Sequence, residues 1–119
     1  MGAGVRIAAC ALSLVLAACG SEQLALDGNA EQGRLLLRQF GCGSCHRIPG
    51  VADAQGNVGP PLDGVGKRVY LAGLVPNSPQ AMARWIRNPK AFDPHTAMPV
   101  LGVGEEHARD MVAYLYRLR

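Results

Sequence analysis

Cys42-Gly43-Ser44-Cys45-His46 is the stretch from which the rest of the chain can be read. Two cysteines with two residues between them, followed at once by histidine, form the attachment signal for a c-type haem. The spacing has a mechanical reason. On a helical turn, residues i and i+3 share a face, so both thiols point the same way and each can add to one haem vinyl group. The adjacent His46 then offers an imidazole nitrogen to the iron. Two other chemistries use a Cys-x-x-Cys pair. A thiol–disulfide redox pair wants a βαβ context, which the surrounding sequence lacks. Half of a zinc site needs a second pair of ligands at similar spacing. The other two cysteines, Cys10 and Cys19, fall in a leader and cannot supply it.

That leader occupies residues 1–18. Arg6 gives a positive start, and Ile7 to Ala18 is an apolar run that ends in small residues. It is short for a membrane span and has the form of a secretory signal. Leu16-Ala17-Ala18-Cys19 resembles the lipobox of bacterial lipoprotein precursors. This implies cleavage before Cys19 and a diacylglyceryl group on its thiol; the bland alternative is a signal that happens to end in cysteine. Residues 19–28 read as a lipid-anchored tether, in which the stretch from Ser21 to Gly28 reaches about 25 Å if extended. Export agrees with the haem signal, since such haems are attached outside the bacterial cytoplasm. The expected location is the periplasmic side of the bacterial envelope, held to a membrane.

The 119 residues allow one domain, placed at 29–119. Aromatic residues are few, with one Trp, three Tyr and two Phe, while 15 Gly and 8 Pro signal much loop. The formal charge of +3 drops to +2 once Arg6 leaves with the leader. Two haem propionates would bring it near zero. No basic run is interleaved with aromatics, so nucleic acid is not an expected partner.

Within the domain, Asn29 to Phe40 reads as a helix, with Asn29 as its cap, Gln32 at the third position, and Leu35, Leu36 and Leu37 as its apolar side. Gly33 inside it costs about 1 kcal/mol of propensity and either allows a close helix approach or is tolerated on a solvent face. Gly59-Pro60-Pro61-Leu62 follows the haem signal at a distance where a proline carbonyl can accept the second ring N–H of His46. Arg68 is a candidate propionate donor, with Lys67 read as surface, and Tyr70 can donate its hydroxyl to the same group.

Ser78 and Pro79 open a second helix, on which Met82, Trp85 and Ile86 share a face until Pro89 stops it. Trp85 is either a wall of the haem pocket or an ordinary core tryptophan. A last helix runs from about Gly104 to Arg119. Glu105 and Glu106 suit its start and Arg117 and Arg119 its end.

The second iron ligand has several candidates. Met82 and Met111 sit on apolar helix faces and read as core. Met98 stands in Asp93-Pro94-His95-Thr96-Ala97-Met98-Pro99, a loop stiffened by proline at both ends. Thr96 can brace that loop or meet a propionate. His95 competes with Met98, and His107, early in the last helix, reads as surface.

Taken together, the chain from Gly33 to Arg119 resembles a class I cytochrome c. The shared features are Gly33, the haem signal, Gly59-Pro60-Pro61-Leu62, Arg68, Asn88-Pro89-Lys90, Thr96-Ala97-Met98-Pro99 and Ala113-Tyr114-Leu115. The resemblance implies an all-α fold whose first and last helices cross near Gly33 and Tyr114. It also implies one haem c on Cys42 and Cys45, with His46 and Met98 as axial ligands. Pro60 becomes the acceptor from His46, Arg68 lies near a propionate, and Trp85 stands by the methionine sulfur. The lysine-rich face of mitochondrial relatives is missing. The stretch from Tyr70 to Pro99 resembles cytochrome c domains attached to haem–copper oxidases.

The expected function is one-electron transfer by a monomer in a respiratory chain, between redox protein partners such as a dehydrogenase and a terminal oxidase. The alternatives are a fixed haem subunit of a larger complex, and a gas-binding or peroxidase protein in which Met98 lets go of the iron.

Overall fold

A computed structural model of the protein describes residues 1–2 and 27–119. The rest of the leader expected over 1–18, the lipidation site Cys19 and the tether up to residue 26 lie outside the described residues. The domain has three α-helices, α1 (Ala30–Gln39), α2 (Pro79–Arg87) and α3 (Glu105–Leu115). Three short 3-10 turns at Cys42–Ser44, Val65–Lys67 and Pro89–Ala91 join them, with one hairpin of strands β1 (Tyr70–Leu71) and β2 (Val75–Pro76). No helix of the described residues is long and apolar enough to cross a membrane.

Helix α1 starts where the Asn29 side chain accepts the Gln32 N–H at 3.0 Å. The backbone N–H of Asn29 in turn donates to Asp110 Oδ1 at 2.7 Å, which ties the start of α1 to α3. Ala30, Gly33, Leu36 and Leu37 are buried, three and four residues apart, so they form one stripe. Leu35 does not belong to it. Its side chain is 46% exposed, because it points about 100° away from Leu36 and about 200° away from Leu37 around the helix.

Gly33 is where α1 meets α3. A methyl group there would run into the carbonyl of Asp110 and sit 2.9 Å from the Met111 nitrogen. Absence of a side chain is therefore what lets the two backbones touch. The contact falls one turn before Tyr114, whose hydroxyl instead donates to Pro49 O at 2.6 Å. Leu36, Ile48, Met111 and Val112 fill the space around this crossing at 2% exposure or less. Each contributes about 1.5–3 kcal/mol by leaving water.

Helix α2 begins with Ser78, whose Oγ accepts the Ala81 N–H at 3.1 Å, and with Pro79 at its first position. It ends at Asn88, before Pro89. Ala81, Met82 and Ile86 are buried, which turns this face of the helix inward.

Helix α3 is shorter than the span from about Gly104 to Arg119 expected of it. It stops at Leu115, and Arg117 N–H and Leu118 N–H close tighter turns on Tyr114 O (2.9 Å) and Leu115 O (3.1 Å). The reason lies elsewhere in the chain. Leu118 O accepts the N–H of Gly66 at 3.1 Å, so the tail is drawn to the Val65–Lys67 turn. Arg117 and Arg119 thus lie beyond the last helical turn.

The hairpin was not expected either. Its turn places Ala72 (φ 49°) and Gly73 (φ 70°) in the left-handed region, the mirror-image turn that suits two-residue hairpins. With only four residues in strands, the molecule remains an all-α protein with loops wrapped between α1 and α3.

Candidate functional site

The thiols of Cys42 and Cys45 stand on a single 3-10 turn. Gly41, in the left-handed region at φ 72°, starts it, and Ser44 Oγ donates to Gly41 O at 2.6 Å. Cys45 N–H and His46 N–H both turn back to Cys42 O, at 3.3 and 3.0 Å. Residues three apart on such a turn eclipse each other, so the two sulfurs share a side. Both cysteines are half-buried and unbridged. Burial pushes the Cys42 thiol up from its ordinary value of 9.0, and the neighbouring Cys45 adds to the shift, while a backbone hydrogen bond opposes it.

His46 is fixed from two directions. Its Nδ1 lies 2.7 Å from Pro60 O. A carbonyl oxygen only accepts, so Nδ1 carries the proton and Nε2 keeps its lone pair. The loop that brings Pro60 there is pinned along its length. Gly56 N–H donates to Gly43 O (3.0 Å), Gly59 N–H to Cys45 O (2.8 Å) and Leu62 N–H to Arg47 O (2.8 Å). Gly59 lies flat on the imidazole, since a Cβ there would strike Cε1 and come within 2.8 Å of Nδ1. A side chain at that position would displace the ring.

The Met98 loop is built differently. Asp93 Oδ1 accepts the His95 N–H at 2.9 Å, and Thr96 Oγ1 accepts the Met98 N–H at 3.2 Å. Thr96 O accepts from Lys90 Nζ at 3.4 Å. Thr96 thus braces the loop. Met98 is half-buried, whereas His95 is exposed. His107 is also exposed, with its ring edge-on to Phe40 at 5.9 Å between centroids. Met82 and Met111 are core residues at 3% and 0% exposure.

This set of groups fits a c-type haem. Two accessible thiols share one turn, an imidazole keeps a lone pair free, and a thioether is held in a loop downstream. Val58 and Val100, exposed apolar side chains that take no part in the core, lie in the loops that follow His46 and Met98. They are suitable neighbours for a flat, largely apolar ring.

Comparison with known proteins agrees. The family model described as Cytochrome c matches residues 30–119, nearly all of the described domain. The chain belongs to the cytochrome c family. Electron transfer is the function this suggests, and haem c attached through Cys42 and Cys45 is its cofactor. Among curated proteins, the chain is similar to a cytochrome c oxidase subunit 2 of Alkalihalophilus pseudofirmus. The identity is 31% over 91 residues, covering 76% of this chain and 26% of that protein. The chain therefore spans about a quarter of the length of this relative.

The remaining expected site residues of the cytochrome have these places. Arg68 turns its guanidinium onto backbone, donating to Pro61 O and, at 3.3 Å, to Asp63 O. It clamps the segment that follows Pro60. Tyr70 is 56% exposed on β1. Trp85 is half-buried on α2, 5.8 Å from the ring of Phe92.

One organising residue escaped the sequence reading. Asn77 donates through Nδ2 to Val65 O (3.0 Å) and Arg68 O (2.8 Å), and its Oδ1 accepts the Tyr116 hydroxyl at 2.8 Å. It joins the Arg68 turn to the C-terminal tail. In the sequence it is only a polar residue ahead of the Ser78 cap, and nothing local distinguishes it.

Proposed function

We propose that this cytochrome is a one-electron carrier, tethered through a lipid on Cys19 to the periplasmic side of a bacterial membrane, that delivers electrons to a terminal haem–copper oxidase. In this reading His46 and Met98 would be the two protein side chains that hold the haem iron. The observation that carries it is the Nδ1–H of His46 on Pro60 O at 2.7 Å. That contact fixes the tautomer and leaves Nε2 as a ligand atom.

The haem supplies a reversible change between Fe(III) and Fe(II). The chain's own residues set the conditions. Pro60 O orients the imidazole and makes it a better donor. The soft thioether of Met98 favours the reduced metal. Two protein ligands leave no coordination position for a substrate, which is why the reading is a carrier and not an enzyme or gas sensor. Short, pinned loops around His46 keep the rearrangement between oxidation states small. A monomer with a small contact area would exchange partners quickly. The oxidase as acceptor is supported by the name of the relative, and the anchor by Leu16-Ala17-Ala18-Cys19.

The deciding experiment is Met98→Ala. The haem should stay attached through both thioethers. The weak methionine-to-iron absorption of the oxidised form should disappear, and the reduction potential should fall. Unchanged absorbance and potential would remove Met98 from the iron and, with it, the carrier reading. Mass spectrometry of the N-terminal peptide should find a diacylglyceryl group on Cys19; an unmodified Cys19 would refute the anchor alone.

A further inference from the structure

A groove opens between the end of α2, the turn that follows it and Val103. It has a volume of about 480 Å³ and is lined by Arg84, Arg87, Asn88, Ala91, Phe92 and Val103. Its make-up is uneven in a telling way. Ala91, Phe92 and Val103 give an apolar surface, with Val103 itself only 6% exposed. The polar part is cationic and amide, with no acid among the lining residues.

The two arginines are poorly neutralised. Arg84 is exposed, and its guanidinium lies 5.8 Å from the centroid of the Phe92 ring. Among the described residues it makes no ion pair, so its five N–H donors remain available. Arg87 has only Glu105, at 3.8 Å, with both side chains well exposed. Glu105 is shared with Arg109 at 3.7 Å, so one carboxylate faces two guanidiniums. The Asn88 side chain caps nothing at either helix it adjoins.

We propose that this groove is a docking cleft for an acidic segment of a redox partner, with a carboxylate seated between Arg84 and Arg87 and apolar atoms on Phe92 and Val103. Arginine's planar fork suits a carboxylate in two-point contact. Stacking on Phe92 holds the Arg84 fork in place before the partner arrives, which reduces the ordering cost of binding.

The position of the groove adds a consequence. Phe92 packs on Trp85 and is followed directly by Asp93, whose carbonyl and carboxylate accept from Thr96 N–H (3.2 Å) and His95 N–H (2.9 Å). The wall of the cleft is therefore the stem of the Met98 loop. A partner held there would contact the segment that carries Met98, without any ring of lysines. Only the identity of the partner as a redox protein rests on the carrier reading. The cleft itself stands on the charges and the groove.

The test uses the haem-loaded, reduced, nitrogen-15-labelled protein and a hexaglutamate peptide as probe, followed by NMR at low ionic strength. Backbone amides from Arg84 to Phe92 and the Trp85 indole N–H should shift, and a hexalysine peptide should leave them in place. The double variant Arg84→Gln/Arg87→Gln should bind hexaglutamate about tenfold more weakly, with an unchanged haem spectrum as proof of its fold. Arg38→Gln, which removes a cation on α1, should bind as the parent does. Equal affinity in the double variant, or equal loss in Arg38→Gln, overturns the cleft. Failure of Met98→Ala to alter the spectrum would refute the carrier and leave this result standing.

Discussion

The two loops assigned to the haem iron are held by opposite means. The His46 side is fixed by contacts that close loops of 13 to 15 residues. Gly43, Cys45, Arg47 and the His46 ring each meet a partner from residues 56–62, and Gly59 lies directly against the imidazole. The Met98 side closes on itself. Its hydrogen bonds join Lys90, Asp93, His95, Thr96 and Met98, none more than six residues apart. Contacts that close a longer loop tie more of the chain together, whereas those within a few residues can open with less disturbance of the rest. One proposed ligand is thus held by a cross-linked loop and the other by a loop closed only on itself. A carrier can use that asymmetry, because the rigid side sets the geometry while the lighter side tunes the metal.

The largest effect should come from breaking the rigid side. Gly59→Ala places a methyl group on the His46 ring. The ring cannot retreat without losing Pro60 O, so overpacking should cost about 1–3 kcal/mol of unfolding free energy. The reduction potential should move at the same time, since the hydrogen bond to Nδ1 changes. Denaturant titration and redox titration of the variant check both. A change of stability with no shift of potential would mean that the ring tolerates displacement and that the contact is only packing.

How much of this was legible in the sequence follows the same division. Features governed by neighbours in the chain could be read directly: the Asn29 and Ser78 caps, the stop at Pro89, and the Cys42–His46 turn. Gly33 could be seen as unusual but not decided from its neighbours, because its reason is the backbone of Asp110, far along the chain; only the family resemblance placed the helix crossing there. The early end of α3 was hidden for the same reason. The apolar pattern continues to Leu118, and only the Gly66–Leu118 hydrogen bond bends the tail away. The β1–β2 hairpin escaped because its two-residue strands carry no period. Its turn uses Ala72 at φ 49° in place of the glycine or asparagine that would announce it. Arg68 shows a subtler limit. Its residue type suggested an anion, and the structure spends part of its donor set on Pro61 O and Asp63 O.

A smaller effect should come from the lighter side. Thr96→Val keeps the volume of the side chain and removes the hydroxyl that accepts Met98 N–H. The loss should be about 1 kcal/mol and confined to the loop. Amide hydrogen exchange is the suitable measurement. The Met98 amide should exchange faster, while amides of Gly56, Gly59 and Leu62 keep their protection. Faster exchange across both loops would show that they open as one unit and would abolish the asymmetry.

The smallest effect concerns acid. Arg34 holds Glu31 through Nε and Nη2 and reaches Gly50 O with Nη1 at 3.5 Å, a thin link from α1 to the His46 side. The Arg34 hydrogen bond holds the Glu31 carboxyl below the ordinary value of 4.5, and Glu31 in turn raises Arg34. A carboxylate whose value is lowered by folding adds stability above its unfolded value and loses it as pH falls through the folded one. Glu31 is exposed and Arg34 half-buried, so the contribution is slight and screened by salt. Glu31→Gln should lower the thermal midpoint slightly at pH 7, and the difference from the parent should vanish well below pH 4.5. The Met98-side exchange rates should not respond to this variant at either pH. If they do, the path from Glu31 through Arg34 to Gly50 reaches beyond the His46 side, and the two loops are coupled through α1.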